Sequence, residues 1–542
     1  MRQMLREWIQ DTVIDLGRQF RWSFLPPLMV YLAAGISGLT AIVGTFFVKD
    51  YLGLSAAFLA GLSFWAGIPW ALKMPIGHLV DLIWRYKSLL VYLGAALIAI
   101  SILIMYGLIA HTAAMAGFMA VEAWYVVSVL LAPTGYVLQD VVADAMTVEA
   151  VPSVDRAGRP YPEAEIKAMH TTMQTLGRFA IVSGLIAVSV LNIVMFADIA
   201  RMSEADKARV YADIYLLALA IPALSVVGVI LGTLSTRVRV RRLRRQGFDE
   251  AAIRRLVPIG APETRPNWWI LGGSLGFAGF VLGLGLSDFP FSQEVIFCGS
   301  IGIVLFLMQR LMLELDPGVR RALVGTAIII FVFRAVPLPG PGATWFEIDV
   351  LGFDQRFLSV LSLIASCLAL VGMVVLRPLM ASRSLAYIVA LLTIAAGVLS
   401  IPNIGLYYGL HEWTGPLTDG VVDARFIAMI DTAIESPLGQ VAMIPMLAWI
   451  AKNAPTHLKA TFFAVMASFT NLALSASSLG TKYLNRIFTV SREVRDRATG
   501  TIETPADYSE LGWLLITVAL ITFLVPLVTI WIVQRSPFRT HQ

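Results

Sequence analysis

Two stretches decide the reading: Phe47-Val-Lys-Asp-Tyr-Leu-Gly-Leu-Ser-Ala-Ala-Phe-Leu-Ala-Gly-Leu-Ser63 and Glu347-Ile-Asp-Val-Leu-Gly-Phe-Asp-Gln-Arg-Phe-Leu-Ser-Val-Leu-Ser362. Each spells the same local plan. An apolar run ends, a Leu-Gly pair turns the chain, a short polar residue stands where a helix cap belongs, and Phe-Leu opens the next run. A plan repeated at this separation predicts a chain built of two similar halves.

Working outward, the apolar runs fall in blocks of about 20 residues or more, enough to cross roughly 30 Å of hydrocarbon at about 1.5 Å per residue. They read as fourteen spans: 25–48, 54–73, 88–110, 120–149, 170–196, 212–234, 268–287, 293–313, 322–346, 356–377, 384–404, 425–451, 459–482 and 511–534. Only 14% of the 542 residues are charged, against 58% hydrophobic, and mean hydropathy is +0.76. A soluble domain carries about 25% charged residues because its surface must be solvated. The composition therefore predicts an all-α integral membrane protein in a lipid bilayer. Registering the repeats places spans 1–6 in an N-terminal half (25–234) and spans 9–14 in a C-terminal half (322–542). An Arg-rich loop (235–267) and a two-helix linker (268–321) lie between them, and an amphipathic lead-in (1–24) precedes them, without the pattern of a cleavable signal.

Charge sets the expected orientation. With the N-terminus inside, cytoplasmic segments hold 27 of the 41 lysines and arginines and external segments 11. Both termini are then cytoplasmic. Nine arginines between Arg237 and Arg265 are part of this bias, so the net charge of +5 points to topology and not to nucleic acid. Cys298 and Cys367 lie in apolar runs and read as packing residues. The scarcity of cysteine and the compact loops lean towards a bacterial inner membrane.

After the second span comes Gly77-His-Leu-Val-Asp81-Leu-Ile-Trp-Arg85-Tyr-Lys87. It resembles the Gly-x-x-x-Asp-x-x-x-Arg-x-Arg/Lys gating loop of the major facilitator superfamily, in which Gly77 would allow a tight turn and Asp81 would hold one gating state. Three further stretches resemble the folate–biopterin transporter family: Asp140-Val-Val-Ala-Asp144-Ala-Met-Thr-Val-Glu149, the block from Arg334-Ala-Val-Pro337 to Leu351-Gly-Phe-Asp-Gln-Arg-Phe-Leu358, and Pro455-Thr-His-Leu-Lys-Ala460-Thr-Phe-Phe-Ala464 with Ser468 and Asn471. The resemblance implies a secondary carrier of a small organic anion such as a folate or pterin, without a cofactor. Two features depart from it: the extra hairpin, and Lys459 where an acidic residue is expected.

Ionisable groups inside hydrocarbon cost about 2.5–3.5 kcal/mol, so they face the bundle interior or a water path. Asp140 and Asp144 are one turn apart on the fourth span, about 15 and 9 Å deep. Arg178, about 12 Å into the fifth, is placed to pair with them. Arg334 lies near the midplane of the ninth span, and Asp431 and Glu435 share a face of the twelfth. The first and fourth helices of each half line the cavity in the superfamily, which by resemblance puts Asp140, Arg334, Asp431 and Glu435 beside it. A carboxylate can accept the adjacent amino and ring N–H groups of a pterin, and a guanidinium suits the carboxylates of a folate tail. The carboxylates also suit proton coupling. The alternative for Asp144 and Arg178 is a fixed ion pair that neutralises two buried charges.

The remaining signals carry less chemistry. His78, His170 and His457 lack metal-ligand spacing. Pro339-Gly-Pro-Gly342 reads as an irregular segment, Trp345 as an interfacial anchor, and no phosphate-binding Gly-rich loop with Lys-Ser/Thr occurs. No nucleophile–base pair is found at membrane depth, which argues against an enzyme. Two other readings stay open: a carrier-like scaffold that no longer transports, and a carrier for another solute such as a cell-wall fragment.

Overall fold

The computed structural model describes residues 20–52, 54–71, 73–83, 86–151, 159, 161–250, 252–253, 289–313, 316–375, 383–439, 459–495 and 502–539, with scattered positions between 272 and 284. The first half contains α1 (Leu25–Ile36), α2 (Ala41–Tyr51), α3 (Ala56–Ala71), α4 (Lys73–Leu82), α5 (Ser88–Ala110), α6 (Val121–Ala150), α7 (Glu163–Met195), α8 (Glu204–Ala218) and α9 (Ala220–Arg245). After α10 (Ser292–Met312) come α11 (Pro317–Ala335), α12 (Pro341–Asp349), α13 (Gln355–Val375), α14 (Leu385–Tyr407), α15 (Ala424–Gly439), α16 (Lys459–Ile487) and α17 (Leu511–Gln534). Among the described residues, eight helical stretches are long and apolar enough to cross a membrane. At about 1.5 Å per residue the 23 residues of α5 cover the hydrocarbon thickness.

The repeated motif is capped the same way twice. The Phe58 amide donates to Ser55 Oγ at 3.1 Å, and the Phe357 amide donates to Asp354 Oδ1 at 2.7 Å. Each cap satisfies a donor that the first turn of α3 or α13 cannot pair internally. Gly352 takes φ of 66°, a conformation that costs a side chain but not glycine. Pro26 and Pro27 open α1 where no intrahelical donor is needed.

Small residues set the closest crossings. A Cβ on Gly94 of α5 would meet Gly135 O of α6 at 2.5 Å, and one on Gly35 of α1 would collide with Ile181 O of α7. Backbones come this near in a bundle only where side chains are absent. Between the halves, α3 runs along α16 and α7 along α13. Asn471 Nδ2 donates across the first seam to Trp70 O at 3.1 Å, and Gln355 Nε2 donates across to Tyr211 Oη at 2.5 Å.

Several expectations are corrected. The second span does not end at 73: α4 continues it to Leu82, because Ile76 and Val80 pack with Val137 and Val141 of α6. Gly77 is therefore helical and not a turn. Arg237–Arg245 continue α9 as helix. The ninth span is two helices, α11 and α12, separated at 336–340, where Val336 to Gly340 include Pro337 and Pro339 and Gly340 has φ of 83°. The chain from Pro339 to Gly342 is thus irregular at its start, as expected. The first span is also interrupted, by a 3₁₀ turn at Ser37–Thr40.

The segment after α16 crosses one end of the bundle. There Lys49 at the end of α2 forms an ion pair with Asp349 at the end of α12, and Tyr508 Oη donates to Asp349 Oδ2 at 2.5 Å. Burial and the Asp349 carboxylate push the Tyr508 phenol well above its ordinary range. A short antiparallel ribbon, Val494–Arg495 with Ile502–Thr504, packs on α2. The Arg492 guanidinium sits 4.8 Å from the centre of the Trp345 ring, which is 2% exposed. Trp345 is therefore a buried packing surface, not a lipid anchor.

Candidate functional site

The site grows from the apolar run that carries the chain past Trp70. Because α4 continues the second span, Lys73 lies inside the bundle against α6. Its Nζ is 2.5 Å from Asp140 Oδ2 and 2.8 Å from Asp144 Oδ2. From α1, Tyr31 Oη donates to Asp144 Oδ1 at 2.7 Å. The carboxylates share one face of α6 because they are four residues apart, so one ammonium spans both.

Asp140 and Asp144 are brought together as expected, but Arg178 is not their ion-pair partner. Lys73 takes that place, and Arg178 is exposed on α7. Arg178 is still near enough to act electrostatically on Tyr31 and Asp140. The Asp144 side chain is 47% exposed, against 21% for Asp140 and 25% for Lys73. Charged groups on helices of this apolarity face the bundle interior or a water path. Counting Lys73 and Arg178 against the two aspartates, the ionised cluster is neutral.

The second half holds a different arrangement. Asp431 on α15 is buried and accepts from Asn403 Nδ2 of α14 at 2.9 Å. Glu347 on α12 is close enough to Asp431 to act on it electrostatically. Arg334 lies in the last turn of α11, two residues before the break, and its Nη1 is buried without a hydrogen-bond partner among the described residues. The side chain of Glu435 lies outside those described, as do the side chains of Asp81 and Arg85. Lys87 from the same motif is buried and binds Glu149 Oε1 at 2.6 Å, tying the start of α5 to the end of α6.

Sequence reasoning missed Lys73, Tyr31, Asn403 and Glu347. Lys73 had a signal: apolar residues continue on both sides of it, so its span runs on. Closing the span at 73 counted it with the loop cations.

The BT1 family matches residues 268–541, half of the chain. This chain belongs to the BT1 family. Over 480 residues it is 22% identical to the folate-biopterin transporter of Synechocystis sp. (strain ATCC 27184 / PCC 6803 / Kazusa), spanning 86% of this chain and 76% of that one. This BT1 protein also shares its fold with solved transporters. Against a peptide transporter POT in complex with sulfate the TM-score is 0.62, at 16% identity over 96% of this chain and 98% of the other. A POT family transporter in complex with 5-aminolevulinic acid gives 0.61 at 14%, covering 97% of each. The nucleoside transporter NupG gives 0.52 at 10%, covering 95% and 100%. The BT1 protein is thus a membrane transporter with a major-facilitator-type two-half helical bundle, not an enzyme.

Proposed function

We propose that this BT1 protein is a proton-coupled secondary carrier of a small organic anion of the folate or pterin class. The cluster of Lys73, Asp140, Asp144, Tyr31 and Arg178 is the observation that carries this reading. With both aspartates ionised the cluster is neutral. A proton on either one leaves a net positive charge, which an entering carboxylate neutralises. Proton and anion then enter together and leave together, because either alone leaves an unbalanced charge at membrane depth.

The same residues suit the rest of the ligand. The half-exposed Asp144 can accept the paired N–H groups of a pterin edge. The buried Nη1 of Arg334 calls for an acceptor that the described residues do not supply, and a second carboxylate meets that need. Asp431 and Glu435 complete the C-terminal wall of the path. Gly77, Asp81, Arg85 and Lys87 gate the cytoplasmic side, where Lys87 holds Glu149. The halves are 25–234 and 322–542, with the hairpin at 268–321 and the Arg-rich segment at 235–267 between them. The membrane is a bacterial inner membrane with both termini in the cytoplasm, in keeping with the basic-residue bias and the relative from Synechocystis.

The test is uptake of labelled folate and biopterin into proteoliposomes, with and without an inward proton gradient. Saturable uptake that the gradient stimulates is expected. Absence of uptake of both compounds, by protein that is folded in the vesicles, overturns the substrate class. Saturable uptake that ignores the gradient overturns the coupling.

A further inference from the structure

The repeat extends further than its sequence motif. Leu52 corresponds to Leu351, an offset of 299 residues, and the same offset carries Phe58 onto Phe357. It also carries the 3₁₀ turn at Ser37–Thr40 onto 336–339, which is the break between α11 and α12. The residues there differ: Ser-Gly-Leu-Thr in one half and Val-Pro-Leu-Pro in the other. The interruption is shared although the sequence that makes it is not.

Each break is held by an asparagine from the fifth span of its own half. Asn192 Nδ2 on α7 donates to Leu39 O at 3.5 Å. Asn485 Nδ2 on α16 donates to Pro339 O at 3.0 Å. Both stand within three residues of the end of their helix, which is Met195 or Ile487. Both are nine-tenths buried or more, at 1% and 5% exposure. In both, the amide oxygen Oδ1 is buried and lacks a hydrogen-bond partner among the described residues. An unsatisfied buried acceptor is costly, and the same group is left unsatisfied twice.

The helices beyond the breaks are the ones that meet. Past Ser37–Thr40 comes α2 with Lys49, and past 336–340 comes α12 with Asp349, joined as an ion pair. Thr481 Oγ1 accepts from the Leu338 amide at 2.9 Å and Ser477 Oγ donates to Val336 O at 2.6 Å, so donors and acceptors of the second break are exchangeable side-chain partners, not helix bonds.

We propose that Asn192 and Asn485 are paired positioning residues, the pins of two hinges at which α2 and α12 swing away from α1 and α11 when the Lys49–Asp349 pair opens. In the closed arrangement each amide N–H holds a break carbonyl. In the open one each free Oδ1 takes up a backbone N–H of the loosened break. The device is one hinge duplicated, and the ion pair couples the two copies.

Hydrogen exchange in the full chain in lipid nanodiscs tests this without any substrate, so its failure is separate from failure of the proposed function. The peptides to follow cover 36–42 and 335–342. Asp349→Asn, remote from both breaks, is expected to speed exchange at least tenfold in both peptides while α5 and α17 stay unchanged. Asn192→Ala is expected to speed the first peptide alone and Asn485→Ala the second alone. If Asp349→Asn leaves both breaks as protected as in the unaltered chain, the hinges are static kinks and the proposal fails. It fails equally if the asparagine substitutions leave their own breaks unchanged. Should either alanine variant not fold, the Asp349→Asn comparison decides by itself.

Discussion

Replacing Lys73 by methionine gives the most direct look at the charge cluster. The substitution keeps an apolar stem as far as Cε and deletes the ammonium that binds Asp140 at 2.5 Å and Asp144 at 2.8 Å. Stripping one partner from a fully buried pair costs about 3–5 kcal/mol, since the other charge stays desolvated and alone. Here the side chains of Lys73 and Asp140 are 25% and 21% exposed and that of Asp144 is 47% exposed, so water screens part of the loss. The expected cost is about 2–3 kcal/mol after that discount. Adding Asp144→Asn to Lys73→Met restores the balance of charge, so the second change recovers stability that it would lose by itself. The assay is a double-mutant cycle on reversible unfolding in mixed micelles, followed by tryptophan fluorescence. A coupling of about 2 kcal/mol between Lys73 and Asp144 is expected, well beyond the roughly 0.5 kcal/mol within which independent sites add. Additive single and double variants would refute the reasoning, because the ammonium would then not be what holds the aspartates.

Other perturbations probe the packing of the bundle elsewhere. Gly94→Ala would put a methyl 2.5 Å from Gly135 O, a backbone atom that cannot rotate away, and should cost about 2–3 kcal/mol in the same unfolding assay. Gly302→Ala on α10 meets nothing within 4 Å and is expected to be neutral or slightly stabilising, by up to about 1 kcal/mol. Lys482→Met removes the ammonium that donates to Gln293 Oε1 at 2.8 Å and Glu294 Oε1 at 3.0 Å and leaves Tyr483 as the donor from α16 to Glu294, so amide exchange in Ser292–Met312 should quicken severalfold while α5 is unaffected. Trp345→Ala empties a buried site and exposes Arg492, a loss of about 3–5 kcal/mol that should appear as an earlier thermal midpoint.

Much of the fold was legible because it follows from strong local rules. Leu-Gly, a Ser or Asp cap and Phe-Leu dictate the same turn-to-helix entry twice, and the caps form at Ser55 and Asp354. Long apolar runs allow little but helix in hydrocarbon, where backbone groups must pair within their own segment. The facing of Asp140 and Asp144 followed from their spacing. Lys73 was harder, since a cation near a span end fits the topology rule as well as it fits a site. The break at 336–340 was partly readable from its prolines, but what keeps it tolerable lies about 140 residues away, in Ser477, Thr481 and Asn485. Such long-range satisfaction of backbone groups leaves no local pattern. The same holds for Arg178, whose exposure depends on how the neighbouring helices pack and not on its own span.

The central claim is that the cluster moves one proton with each substrate charge it neutralises. Its most direct test records luminal pH and labelled folate or pterin uptake together in the same proteoliposomes, for the unaltered chain and for Asp140→Asn. The account predicts that adding the substrate outside acidifies the lumen in step with uptake. In Asp140→Asn that acidification should vanish, while one-for-one substrate exchange persists. Equal acidification by the variant would contradict the account and place the proton elsewhere in the bundle.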